Sequence, residues 1–478
     1  MLYSPFVELN IKEATKVTVN SHEERLYNRG FYFICIGSFF IMLSLATHLP
    51  AYPHMLEQFQ LNAGYAVWMQ LGLAVGLTGF QPLLGWVGDS FGIKLVVLLG
   101  GIFMILGSLL VAFAGAFWVL VFGLFLKGVA GACVAPSGVA YAGKYMVGSR
   151  RGKAMGTFAA SITIGALFGP LISGSIVDAF NWQMSFIFTA ILGAISFTLY
   201  LGVPYVKIGQ RKKLDTLGVI FVIVLLLGLL TIPTFMNTYG FTSGMWLPSL
   251  GVFIVSLILL IVVEKKQKEP LIEIEHIMNR TFWVPTLIAV LIFLGYSGVM
   301  YLLTFFVQSV QGKSATTVGI LQMAIFGGTS LAAYMTGRVL KNFSTRTILS
   351  LAVLIFAIGI VMLSFVHLET TFTYLFIAMS CIGIGSGIST PVVKALIVSQ
   401  AKQDRINVVS FTNSVIENIA QRLGASFALV AFSIFSASGN NINAMSNTSW
   451  FIMFFVVLAL CFILLVPRTI DGIHDIEG

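Results

Sequence analysis

Few side chains in the apolar stretches of this chain could do chemistry, and most of those gather near residue 417. Of the 18 acidic residues, Glu417 alone falls well inside such a stretch. Ser414, Glu417, Asn418 and Gln421 recur at i, i+3, i+4 and i+7, so one helix face carries all four, with Arg422 at its flank. Ionisable groups inside a membrane are costly and face a cavity or a partner. A carboxyl whose surroundings alternate between dry and cation-flanked can load and release a proton. Glu417 is therefore the candidate proton carrier. The competing reading is a structural ion pair with Arg422 or Lys127. Five residues is poor helical spacing for direct contact with Arg422, so a strong partner is expected from another helix.

Lys127, within Leu124-Phe125-Leu126-Lys127-Gly128, is a second charge far inside an apolar run. It is a candidate to bind an anionic group or to tune Glu417; the alternative is snorkelling or satisfying helix carbonyls. Lys394 lies near the end of its run and is read as snorkelling. His48 is a candidate substrate contact, since histidine titrates near neutral pH, or else a hydrogen-bonded filler. Asn418, Gln421, Ser414 and Arg422 complete the candidate substrate-binding set. Two interior cations against one carboxylate tilt the expected cargo toward anionic, zwitterionic or neutral lipophilic compounds.

The elements that must position these groups are bilayer-spanning helices. Hydrophobic residues make up 58% of the chain and charged residues 9%, against roughly 25% charged in soluble domains. A spanning helix needs about 20 apolar residues. Fourteen runs qualify: 30–51, 64–86, 94–114, 117–142, 153–175, 183–204, 214–236, 247–264, 282–307, 315–338, 346–366, 371–396, 408–437 and 449–467. Basic residues occupy alternate gaps: Lys94; Lys144, Arg150, Arg151 and Lys153; Lys207, Arg211, Lys212 and Lys213; and so on to Lys402 and Arg405. The intervening gaps hold only Lys313. Short basic loops stay cytoplasmic, so both termini are expected there. The net charge of +9 is scattered over these turns and suits lipid headgroups rather than nucleic acid. Cys35, Cys133, Cys381 and Cys461 fall inside spans and read as packers, with no metal spacing.

The chain repeats itself. Gly128, Pro136 and Gly169 recur as Gly383, Pro391 and Gly424, all at an offset of 255 residues. Parallel repeats suggest two pseudosymmetric bundles rocking about a midplane site. Residues 1–29 are expected to form a cytoplasmic tail, 30–205 a six-helix bundle, 206–270 an inserted helix pair with its flanking loops, 271–467 a second six-helix bundle and 468–478 a second tail.

Four local patterns then carry a resemblance. Gly85, Asp89, Gly92 and Lys94 resemble the Gly-x-Leu-x-Asp-x-x-Gly-Arg-Lys signature of the major facilitator superfamily, with Val87 and Ile93 as substitutions. Arg151-Gly152-Lys153-Ala154 resembles the start of helix 5 in that family. Gly165, Gly169, Pro170 and Gly174 resemble the antiporter signature of helix 5, with Ser173 where a second glycine is usual. Trp68 sits where the fourteen-helix drug:proton antiporter branch often has tryptophan. The resemblance covers nearly the whole chain. It implies the major facilitator fold, all-α and membrane-embedded, with two pseudosymmetric six-helix bundles plus two inserted helices. It also implies that the Asp89 loop and nearby cations, Arg151 among them, latch the halves in one state. Asp89 is expected to cap helix 3, and the strip of Gly165 and Gly169 to admit a close helix neighbour. The chain departs from the branch at Phe40, where many relatives carry an acid, and at Leu124, where the family usually has arginine.

The expected function is secondary active export of small amphipathic compounds driven by proton antiport, or carriage of one anionic metabolite such as a siderophore or lipid precursor. No Walker loop, HExxH or GxSxG pattern supports an ATP-driven pump or an enzyme, and no cofactor or metal is expected. A non-transporting sensor would need a soluble signalling domain. The expected partners are a small-molecule substrate, protons and the lipid bilayer of a bacterial cytoplasmic membrane, around a monomer.

Overall fold

The computed structural model describes residues 21–466 apart from 135, 147–148, 206–215, 267–279, 340–343, 400–405 and 437–440. The described residues are helical, with no strand among them. An apolar bilayer offers backbone groups no partner, so each segment must close its own hydrogen bonds. Thirteen helices are long and apolar enough to cross a membrane. The eighth, Leu247–Lys266, is apolar over the shorter stretch Leu247–Val263.

In chain order the membrane helices are α1 (Ser21–Ala46, continued by His48–Gln58), α2 (Ala66–Phe91), α3 (Ile93–Ala112), α4 (Phe117–Tyr145), α5 (Ser149–Ala179), α6 (Trp182–Leu201) and α7 (Thr216–Tyr239). They continue as α8 (Leu247–Lys266), α9 (Phe282–Val310), α10 (Ala315–Val339), α11 (Thr345–Ser364), α12 (Phe372–Ser399), α13 (Ile406–Ser436) and α14 (Asn441–Ile463). With fourteen crossings, α1 begins and α14 ends on one side, here the near side; the opposite side is the far side.

The repeat seen in the glycines reappears in the packing. In the first six helices α1 packs on α5 and α6, α4 on α2 and α3, and α3 on α6. Eight helices later the pattern recurs: α9 on α13 and α14, α12 on α10 and α11, and α11 on α14. The halves meet where α5 lies on α10 and where α2 approaches α13. Of the inserted pair, α7 touches α2 and α13, whereas α8 rests on α7. Val252, Val255 and Ile258 of α8 point away from the protein, as lipid-facing residues do.

The corner between α2 and α3 is tighter than the sequence suggests. The helix runs on to Phe91, α3 starts at Ile93, and Gly92 alone makes the turn with φ 101°. That φ is disfavoured for any residue with a Cβ. Asp89 consequently sits in the last turn of α2, and Gly92, not Asp89, takes the N-cap position of α3.

Candidate functional site

Glu417 lies in α13, eleven residues past Ile406, or roughly 16 Å along the axis at ~1.5 Å per residue. It is buried, and it is the only buried carboxylate among the described residues. Asn413, one turn earlier, donates from Nδ2 to Glu417 Oε1 at 2.8 Å, and Thr286 of α9 donates to Asn413 Oδ1 at 3.2 Å. The ionic partner comes from another helix, but it is neither Lys127 nor Arg422. Lys394 Nζ of α12 lies 3.8 Å from Glu417 Oε2, its own side chain half exposed where that of Glu417 is 8% exposed. The half-exposed Lys394 head also reaches a buried carboxylate, a contact the sequence did not suggest. Its position near the near-side end of α12 lets its head reach both the carboxylate and solvent. The carboxylate thus has one oxygen on a buried amide and the other toward a wet cation.

Toward the far side a second polar cluster spans the two halves. Tyr301 of α9 donates to Gln70 Oε1 of α2, and its hydroxyl is 3.5 Å from His48 Nε2 of α1. His48 Nδ1 bonds to Leu45 O at 2.6 Å. The Tyr52 ring sits 5.3 Å from that of His48 and 6.0 Å from that of Tyr301. Arg422 of α13 is within electrostatic reach of both phenols and of His48. Asn418 and Gln421 remain half-buried on the same helix; the side chain of Ser414 lies outside the described residues.

Lys127 is fully buried, yet it turns away from Glu417. Its Nζ donates to Thr189 Oγ1 of α6 at 3.1 Å and lies 4.5 Å from the Phe186 ring centroid. The Thr189 hydroxyl is 2.9 Å from Ser108 Oγ of α3. Lys127 thus joins α4, α6 and α3 inside the first bundle, held by hydroxyls and an aromatic face.

Asp89 Oδ1 accepts from Lys144 Nζ of α4 at 2.8 Å, with both side chains about 40% exposed. Lys94 Nζ donates to Leu201 O at the end of α6 at 2.9 Å. These named contacts stay within the first six helices. Gly85 is exposed with open space around it, and the Arg151 side chain lies outside the described residues.

In α5 the glycines divide their work. Gly165 and Gly169 pack on Phe39, Leu43 and Ala46 of α1, in their own half, while Gly174 packs on Ala315 and Thr316 of α10. Gly319 of α10 meets Pro170 and Leu171 in return. Asp178 then caps α10 across the gap: its carboxylate accepts from Ala315 N at 2.9 Å and Thr316 N at 2.7 Å. Ser173, where a glycine was expected, donates to Thr47 O at 2.6 Å and lies 2.9 Å from Ser185 Oγ of α6. Thr47 interrupts the α1 helix, so Ser173 serves a carbonyl that the interruption frees. Gln308 donates to Pro50 O at 3.1 Å nearby. The α5–α10 seam and the Tyr301 cluster both join the two halves toward the far side, beside a cavity of about 570 Å³ among Pro53, His54, Asp178 and Gln308.

The sequence did not single out Asp178, Tyr52, Gln70, Tyr301 or Asn413. Only Asn413 carried a usable signal, four residues before Glu417; isolated tyrosines and a helix-end aspartate look like ordinary residues of their kind.

A two-fold repeat of helix packing, a polar cluster buried between the halves and a carboxylate inside a spanning helix define a membrane transporter. The sequence model of the Major Facilitator Superfamily matches residues 34–425, with a second match over 287–471, and the chain belongs to that family. It is 26% identical to multidrug resistance protein 3 of Bacillus subtilis over 383 residues, covering 78% of this chain and 74% of that one. The quinolone resistance protein NorB of Staphylococcus aureus is 23% identical, with 81% and 84% covered. The riboflavin transporter RibZ of Clostridioides difficile is 24% identical, with 91% and 95% covered. Among solved structures, a peptide transporter POT superposes with a TM-score of 0.69 at 15% identity over 93% of this chain and 96% of that one. A bacterial homologue of the lysosomal transporter Spinster, described as inward-facing, superposes with a TM-score of 0.66 at 14% identity, covering 93% and 98%. These likenesses establish the fold. The chain is a multi-pass membrane transporter of small molecules, not an enzyme.

Proposed function

We propose that the protein exports small amphipathic compounds in exchange for protons, with Glu417 as the proton carrier. The observation that carries this reading is the setting of Glu417: a buried carboxylate held by Asn413 and touched by a half-exposed lysine. Asp178, Tyr301 and Gln308 hold the two halves together toward the far side, and on our reading Glu417 then exchanges its proton with the near side. The alternate basic loops make that side cytoplasmic. Reversal of the two bundles would expose Glu417 and the cargo to the far side, where a proton loads as cargo leaves. The relatives named for multidrug and quinolone resistance support export, and we read the chain as working as a monomer. The match to a riboflavin transporter over most of the chain supports a second reading, a carrier dedicated to one metabolite. Competition by chemically unrelated amphiphiles separates the two: a multidrug site is blocked by many, a dedicated site by few.

The test is proton flux in proteoliposomes against cationic, neutral and anionic amphiphiles, for wild type and Glu417→Gln. At least one compound is expected to drive proton movement in the wild type and not in the variant. Equal compound-driven proton flux in both would make Glu417 structural and end its role as carrier.

A further inference from the structure

The cavity beside the first seam has no part in the transport cycle described above. It holds about 570 Å³, within the ~300–1,000 Å³ of small-molecule sites. Its wall comes from both halves. Pro53, His54 and Glu57 belong to the far end of α1 and Asp178 to the end of α5, while Gln308 belongs to the end of α9 and Lys313 to the turn into α10. Two of these side chains are left incomplete. His54 Nδ1 and Gln308 Oε1 are shut away from solvent and make no hydrogen bond. Gln308 Nε2 donates to Pro50 O at 3.1 Å, which leaves the acceptor as the unpaired end of the amide. Buried polar atoms without partners are rare in folded proteins. Gln308 also lies in a π-helical turn, Phe306–Val310, that ends α9, and such turns are frequent at functional sites.

The charges of the wall say what would complete it. Glu57 is exposed and pairs with no cation among the described residues. Asp178 brings a second carboxylate, which accepts from two backbone N–H groups. Lys313 brings an ammonium, but it already donates to Thr370 O at 3.2 Å. Acceptors and negative charge therefore exceed donors and positive charge among these residues. A cation with N–H donors answers both. Leu56, Leu61 and Phe305 add apolar wall for its carbon body. We propose that this cavity is a far-side site for a primary organic ammonium with a small apolar body, held between Glu57 of the first half and Gln308 of the second. Because the wall is shared, the site is whole only while the halves are together. A ligand that binds one of two states shifts the equilibrium toward that state, so occupancy braces the far side shut. The site is separate from Glu417 and stands or falls independently of proton antiport.

The test is equilibrium binding of benzylammonium, benzyl alcohol and benzyltrimethylammonium to the full chain in lipid nanodiscs, with empty nanodiscs as the blank. Benzylammonium is expected to bind tightest. Glu57→Gln, at an exposed position, should weaken benzylammonium by about two- to fivefold, the range of a solvent-screened charge pair, and leave benzyl alcohol unchanged. Glu57→Lys should weaken it further. Location is read by cysteine protection from a membrane-impermeant thiol reagent. Ser314 is exposed and lines this cavity, and Ser433 is exposed and lines a separate far-side cavity. Benzylammonium should protect Ser314→Cys and not Ser433→Cys. Bracing is read at Val318→Cys in α10, where the native side chain is buried, so the cysteine reacts when the far side opens. At about ten times the dissociation constant of benzylammonium, that labelling should slow by about tenfold. A wild type that binds benzyl alcohol or benzyltrimethylammonium as well as benzylammonium would overturn the site. So would Glu57 variants that keep the full preference, or absence of protection at Ser314→Cys. Protection there with unchanged labelling at Val318→Cys would overturn the bracing.

Discussion

The two seams between the halves should be equivalent by the repeat, and they are not. At the first, α5 lies directly on α10: Gly174 against Ala315, Gly319 against Pro170, and Asp178 on the free N–H groups of α10. At the second, α2 and α13 touch sparingly and α7 fills the flank. Trp68 Nε1 of α2 donates to Thr238 Oγ1 of α7 at 3.1 Å, and Leu423 and Ile419 of α13 pack on Leu230 and Val222 of α7. One seam is backbone against backbone and has room for nothing else. The other is buffered by an inserted helix with flexible apolar side chains. The inserted pair relaxes the symmetry of the packing, and the contrast predicts that the first seam acts as a dry gate while the second slides on α7.

The sharpest way to break the comparison is to put bulk into the first seam. A Cβ at Gly319 would press on the Pro170 carbonyl and Leu171. Gly319→Val should therefore hold the far side open, with an overpacking penalty of about 1–3 kcal/mol. Transport should fall by at least about tenfold, and a cysteine placed at Val318 of α10, which is buried, should become more reactive to a membrane-impermeant thiol reagent from the far side. Unchanged labelling and transport would mean that this seam does not gate. A smaller effect is expected from Asp178→Ala, which removes two cap hydrogen bonds. An N-terminal cap is worth about 0.5–2 kcal/mol, so the same far-side labelling should rise by about two- to thirtyfold while the helix itself persists. Asp178→Asn, which keeps an acceptor for one N–H, should recover part of that change.

Much of this architecture was legible in advance, because the bilayer leaves a simple record. Long apolar runs and alternate basic gaps must appear wherever a chain crosses repeatedly, and the 255-residue offset of Gly128, Pro136 and Gly169 mirrors the recurring packing pattern. Glu417 stood out for the same reason: an acid among apolar neighbours is conspicuous. Its partner did not, since a lysine at a helix end suits snorkelling, and only the packing of α12 against α13 brings Lys394 to it. Lys127 was conspicuous too, yet sequence could not say which way it points; the hydroxyls of Thr189 and Ser108 turn it into its own bundle. Asp178 acts on the backbone of a helix 137 residues further along, and a backbone donor leaves no mark in a sequence.

The second seam supplies the finest test of the contrast. Thr238→Val keeps the shape of the side chain and removes the acceptor for Trp68 Nε1, leaving a half-buried indole N–H without a partner. The loss of one neutral hydrogen bond is worth about 0.5–1.5 kcal/mol, and because α7 buffers this seam the loss should appear mainly as lower thermal stability of the purified protein. Transport and far-side labelling should stay within about threefold of wild type, since α2 and α13 do not depend on a direct backbone contact here. If Thr238→Val instead changes far-side labelling as much as Asp178→Ala does, α7 is part of the gate rather than a cushion beside it. The two seams would then be equivalent in action despite their different construction.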